Sequence, residues 1–364
     1  MHVPVLSAVK ELISLKINNV PTLFIKAFNG GDVETILEFV RNARAFYKGD
    51  GNNVLFIDTP ITAATVEAVE KLRREGCDVC FRDHHGIDGE PRNDREKQVV
   101  MATAKLRNLL GDQCVIEVRR KHPACSTLVS VGEFSDAVAI IADPDADGLT
   151  AAMKAAGIFY DGLDEDAAKL DGEPQLQVSG TPISQLLAKG IATIPSYDSS
   201  RPKEREVAYQ KLFSDWMKAV SGDERATERL QERVVAYDEA VKISHELASS
   251  ATTVAPGVVL VDACHSQLYD PGTLNALLEV DPQNRITVVK KSLGPIAALH
   301  GVQYSLSVTK TYQNKVNLFE LVPPDAKSDP ESGLISNVSF LLHTSEEVWN
   351  RYVLPRLKTS QADC

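Results

Sequence analysis

The sequence predicts an α/β protein, with a parallel-sheet domain followed by a second, smaller α/β domain. Three observations lead there. The 364 residues, 43% of them hydrophobic, are enough for two domains with ordinary cores. Short apolar runs alternate with amphipathic stretches in the first part, which is the pattern of parallel strands joined by helices. Strand-like runs then return after a long, charged, mostly helical region at 184–250.

The elements follow from the same periodicities. A strand at 22–25 precedes an amphipathic helix at 33–46, with Asp32 as its expected N-cap. A strand at 54–57 precedes a helix at 63–75, and 79–81 reads as a third strand. A charged loop is expected at 88–95, a helix at 96–110, a short strand at 115–118 and an apolar strand at 137–142. The Ala, Leu, Met and Lys content of 149–156 favours a helix, whereas the acidic, glycine-containing 161–173 reads as a surface loop. Helices at 202–220 and 225–247 lead to strand candidates at 257–261, 285–289 and 338–342. The expected division is a first domain at 1–225, a linker helix at 226–252 and a second domain at 253–364.

Charge and cysteine content narrow the class. A net charge of −11 argues against a broad basic surface for long duplex nucleic acid and favours short substrates. Arg119, Arg120 and Lys121 offer a local cationic patch for phosphate. No run approaches the roughly 18 apolar residues of a membrane span, and the N-terminus lacks a basic region followed by a long apolar core. No membrane association is expected. The six cysteines include a single Cys-x-x-Cys, Cys77 and Cys80, so buried reduced thiols are preferred to zinc and the protein is expected to be cytoplasmic. A homodimer is one assembly open to it.

The chemistry concentrates at strand ends. Asp143-Pro144-Asp145-Ala146-Asp147-Gly148 places three carboxylates in five positions after the apolar run 137–142, and Gly148 permits a tight turn into the helix. If extended, Asp143 and Asp145 would face the same way, with Asp147 beginning the next element. Asp83-His84-His85 follows the strand at 79–81, and Asp58 ends the strand at 54–57. In open α/β sheets ligands bind beyond the carboxyl ends of strands, so these groups are expected to converge. Carboxylates suit Mg2+ or Mn2+, and imidazole shifts the preference toward transition metals. Manganese is the expected cation, with magnesium as the alternative.

At these residues the sequence resembles the DHH superfamily of phosphoesterases, which includes RecJ-like exonucleases, oligoribonucleases, cyclic-dinucleotide phosphodiesterases and manganese pyrophosphatases. Asp58 matches its second motif, Asp83, His84 and His85 the third, and Asp143 the fourth. The resemblance implies a DHH-type domain holding two divalent metals that share ligands. The first motif departs from the pattern: the segment at 26–32 offers one carboxylate, Asp32, while Asp145 and Asp147 add acids at the fourth position. Either relocation of ligands between neighbouring strand ends or circular permutation accounts for this, and the retained motif order favours relocation. The family's Gly-Gly-Gly-His segment is also missing, with His300-Gly301 and Ser332-Gly333 as the nearest substitutes.

The expected function is metal-assisted hydrolysis of short oligonucleotides or cyclic dinucleotides. Metal ligands are assigned to Asp58, Asp83, His84, Asp143, Asp145 and Asp147, and the chemistry to Asp83, His84 and His85, the last as ligand or phosphate contact. Asp147 is also open to a capping or supporting role. Alternatives are a pyrophosphatase or exopolyphosphatase, and a non-catalytic nucleotide-binding regulator. A calcium loop is disfavoured, since Lys154 stands where a calcium loop places Glu. His122, Cys125, Ser126 and Thr127 read as a turn or helix cap rather than a nucleophilic site, and His265 as cleft-lining at most. Arg285, Lys290, Lys291, His300 and Lys310 are second-domain candidates for phosphate contact.

Overall fold

A computed structural model of the chain describes residues 13–25, 30–46, 51–91, 94–172, 181–194, 202–266, 268–292, 301–313, 315–323, 336–338 and 341–359. The chain divides into two compact units, Met1–Ile191 with Glu206–Gln231, and Ala192–Arg205 with Glu232–Cys364.

The first unit contains strands β1 (Ile13–Ile17), β2 (Val20–Phe24), β3 (Asn53–Ile57), β4 (Asp78–Asp83), β5 (Cys114–Ile116) and β6 (Ala139–Ala142). They form one sheet in the order β1-β2-β6-β3-β4-β5, parallel except for the antiparallel β1–β2 hairpin. Asn18 and Asn19 make the two-residue turn of that hairpin, both with positive φ, a conformation Asn tolerates well. The central strands read as unbroken apolar runs because both faces are covered. Helices α1 (Gly30–Phe46), α2 (Ala63–Arg74) and α3 (Asp94–Leu110) share a core with β3, β4 and β6 built on Ile36, Val40, Val69, Leu72 and Leu106. Helix α4 (Ala146–Ala155) packs on β6 and β3, followed by α5 (Leu163–Gly172) and α6 (Pro182–Ala192). Phe213 of α7 (Pro202–Val220) meets Phe24 edge-on at 5.1 Å.

Three expectations change here. The stretch expected as a loop from residue 161 instead holds helix α5 over Leu163–Gly172: Asp164, Glu165 and Asp166 occupy its first turn, where acids favour a helix N-terminus. Helix α1 starts at Gly30, so Asp32 falls within its first turn instead of capping it. Helix α4 starts at Ala146 with Asp145 as N-cap, so Asp143 and Asp145 lie past the end of β6 at Ala142 rather than on a strand.

The second unit follows α8 (Glu224–Ser249) with β7 (Thr252–Ala255), β8 (Val258–Asp262), α9 (Pro271–Leu278), β9 (Ile286–Ser292), β10 (Val302–Val308), β11 (Ser336–Val338) and β12 (Leu341–Ser345). Its sheet runs β11-β12-β10-β9-β8-β7, with only β8–β9 parallel. The expected strand at 338–342 is instead the meeting of β11 and β12 in an antiparallel pair. One face packs on Trp349, which stacks with Tyr304 at 4.6 Å, and the other on Leu274 and Leu278 of α9.

Candidate metal centre

The sheet register brings the acids together. Ile57 pairs with Ala142 on one side and with Arg82 on the other, so Asp58, Asp143 and Asp83 leave their strands from a single rung. Neighbouring strands stand ~4.8 Å apart, within reach of shared ligands. Strand β6 lies between β2 and β3, so the rung opens where the chain order of the sheet is interrupted, a usual ligand position in such sheets.

Two groups of potential ligands form there. Donor atoms of Asp58, His84, Cys125 and Asp147 all lie within 4.8 Å of one another, and so do those of Asp58, Asp83 and His85. Asp58 belongs to both. Asp143 and Asp145 stand outside these groups and line the adjoining cavity. Asp145 is engaged as a helix cap, its Oδ1 accepting from the Gly148 amide at 2.8 Å.

The two histidines face the acids differently. His84 Nδ1 donates to the His122 carbonyl at 2.7 Å, which leaves its Nε2 lone pair directed at Asp147 Oδ2 (3.2 Å), Asp171 Oδ2 (3.6 Å) and Asp58 Oδ1 (3.8 Å). A lone pair and a carboxylate this close repel unless a proton or a metal cation stands between them. Backbone carbonyls commonly orient metal-binding histidines in this way. His85 is the same Nδ1–H tautomer but turns its other edge to the acids: Arg119 Nη2 donates to its Nε2 at 2.8 Å, so its Nδ1 carries the proton and donates to Asp83 Oδ1 at 3.2 Å. Asp83 Oδ1 also accepts from the His85 amide at 2.6 Å.

Burial makes this arrangement costly without a cation. Asp58, Asp83, His84 and Asp147 are each no more than 2% exposed. Burial raises the Asp58 pKa well above the ordinary carboxylate value, helped by the charges of Asp145, Asp147, Asp83 and Asp143. Burial likewise raises Asp147, against the opposing pull of His84 and the Cys125 amide. For His84 burial opposes the charged form, but the nearby Asp147 carboxylate outweighs it, with the His122 carbonyl and Asp171 helping, and the pKa rises. Asp171 is raised mainly by burial, with Arg119 pulling the other way. Asp58 Oδ2, Asp83 Oδ2 and His84 Nε2 are buried with no hydrogen-bond partner among the described residues. Such unpaired buried acceptors cost several kcal/mol unless they are neutralised or ligated. The group therefore fits a divalent cation.

Three contributors escaped the sequence reading. Cys125, placed in a turn, offers its amide to both oxygens of Asp147 (3.1 and 3.0 Å) and its thiol to Asp58 Oδ1 (3.4 Å). Burial and the surrounding acids raise its pKa well above the ordinary thiol value. Asp171, from the stretch read as a loop, accepts from Arg119 at 2.8 Å and faces His84. Lys154 donates to the Ser126 carbonyl at 2.9 Å and to both oxygens of Asp164, tying α4 and α5 to the segment that carries Cys125. Their partners are remote in sequence, so no local pattern marks them.

A cavity of about 460 Å³ adjoins the site. Its lining joins Asp58, His85, Asp143 and Asp145 to the apolar Ile61, Val66, Val99 and Met101, with Gln98 and Lys105. Elsewhere in this unit Cys77 and Cys80 are buried and free, contacting Arg44 and Gln113 respectively. In the second unit Arg285 donates to the Pro256 carbonyl, Lys290 faces Asp262 and Glu346, and His265 is exposed. Lys291 is buried and its pKa falls to about 8. Lys310 lies in a short 3-10 turn, and His300, Ser332 and Gly333 lie outside the described residues.

No family model and no curated protein matches the chain. Among solved structures, a pGpG-specific phosphodiesterase, PggH from Vibrio cholrae, matches with a TM-score of 0.37 and 12% identity over 82% of this chain and 95% of that one. Among the described residues no helix is long and apolar enough to cross a membrane.

Proposed function

We propose that the chain is a DHH-type, metal-dependent phosphoesterase that hydrolyses short oligonucleotides or cyclic dinucleotides. The observation that carries this reading is the set of buried, orphaned donor atoms on Asp58, Asp83 and His84, gathered at the carboxyl ends of parallel strands. Divalent cations held there, manganese foremost, would offset charge on phosphoryl oxygens and make a water nucleophilic near neutral pH. Asp58 lies in both ligand groups and is positioned to be shared between two such ions. Asp83 fixes the His85 ring, and Arg119, half-exposed beside that ring, is placed to meet a phosphate. The apolar lining at Ile61, Val66, Val99 and Met101 suits a nucleobase, with Lys105 available to a second phosphate. In this reading residues 1–225 hold the metal, 226–252 link, and 253–364 grip substrate. The free cysteines agree with work in the reducing cytoplasm.

The test is a hydrolysis screen with Mn2+ over linear and cyclic dinucleotides, short oligonucleotides and pyrophosphate. Dinucleotide or oligonucleotide cleavage is expected, removed by chelation and reduced at least ~100-fold in Asp147→Asn. Phosphate release from pyrophosphate alone would replace the substrate class, and metal binding without any turnover would favour a regulator.

A further inference from the structure

The thiol of Cys125 has no place in a site built only from carboxylates and imidazoles. We infer that Cys125 is a metal ligand, and that with Asp58, His84 and Asp147 it forms a buried position selective for a thiophilic divalent ion such as Zn2+ or Fe2+. The inference rests on the metal-dependent reading above.

Three observations carry it. Cys125 is fully buried and held at both ends by the acids, its amide on Asp147 and its Sγ 3.4 Å from Asp58 Oδ1. His84 is fully buried, and its Nε2, without a hydrogen-bond partner among the described residues, faces the same cluster. The donor separations of 3.2 Å (His84 to Asp147), 3.4 Å (Cys125 to Asp58) and 3.8 Å (His84 to Asp58) bracket the edge of a tetrahedron with bonds of ~2.0–2.3 Å. Thiolate sulfur prefers zinc and iron, whereas all-oxygen sets suit magnesium and manganese. The second group, Asp58, Asp83 and His85, contains no sulfur and includes the half-exposed His85. The two positions therefore differ in kind. On coordination the metal–sulfur bond forms as the S–H bond breaks, and the proton leaves to solvent.

Cobalt(II) is the probe, added to the metal-free full-length protein. A near-ultraviolet sulfur-to-cobalt charge-transfer band is expected in wild type and absent in Cys125→Ser. That variant should also lose preference for Zn2+ over Mn2+ by a factor on the order of 10–100. X-ray absorption of wild-type protein loaded with one Zn2+ should show one sulfur at ~2.3 Å, which needs no variant to fold. Cobalt bound with the same spectrum in wild type and variant, or zinc with no sulfur neighbour, overturns Cys125 as a ligand while leaving the phosphoesterase reading intact. Failure of both metals to bind overturns both readings.

Discussion

Asp58 has a φ of 51°, in the left-handed region that a side chain normally avoids. Asp accepts this conformation more readily than most residues, and strain of this kind gathers at functional sites. The same residue carries the site's heaviest electrostatic burden, because burial and four neighbouring carboxylates all oppose its charge. Its folded pKa lies above the unfolded value of 3.8, so its stabilising effect is full below that value and is lost as pH rises through the folded pKa. Asp58→Asn keeps the backbone geometry and removes the charge. In chelator at neutral pH the variant is expected to melt above wild type, by roughly 2–4 °C for each kcal/mol relieved, and to lose stabilisation by divalent cations. Thermal unfolding from acid to neutral pH measures both effects, and a variant less stable than wild type in chelator contradicts the assignment. Asp58, Asp83 and His84 were legible in the sequence because each ends or follows a short apolar run. Cys125 was not, because its thiol partner lies 67 residues away.

At the scale of elements, the turn between β6 and α4 depends on close backbone approach. A Cβ on Gly148 would come within 2.3 Å of the Asp143 carbonyl oxygen and 3.1 Å of its amide nitrogen. The glycine sits inside the first helical turn, so its role is to admit the Asp143 backbone rather than to turn the chain. Gly148→Ala is expected to cost roughly 1–3 kcal/mol in chemical unfolding and to weaken metal binding, by pushing Asp147 away from His84. Unchanged stability together with unchanged metal affinity would refute that role. The alternation of strands and helices from β2 to α4 was readable because each apolar run is short and bounded. Hairpin β1–β2 was overlooked although its Asn18-Asn19 turn is a recognisable signal. Helix α5 was hidden by acidic residues that resemble a loop but stabilise a helix start.

At the scale of the molecule, the α/β class and the presence of two units followed from composition and periodicity. The order of strands did not, since β6 enters between β2 and β3 only through pairings more than 80 residues apart in sequence. That insertion is what sets Asp143 and the α4 turn beside Asp58. The whole reading rests on one property: the rung of acids, with His84, exists to hold divalent cations. Anomalous diffraction from crystals soaked in Mn2+ tests it most directly. The account predicts an anomalous peak within ~2.2 Å of an Asp58 oxygen, shared either with Asp83 and His85 or with His84 Nε2 and Asp147. Density showing these side chains paired only with protons and neighbouring protein groups, with no ion among them, would contradict it.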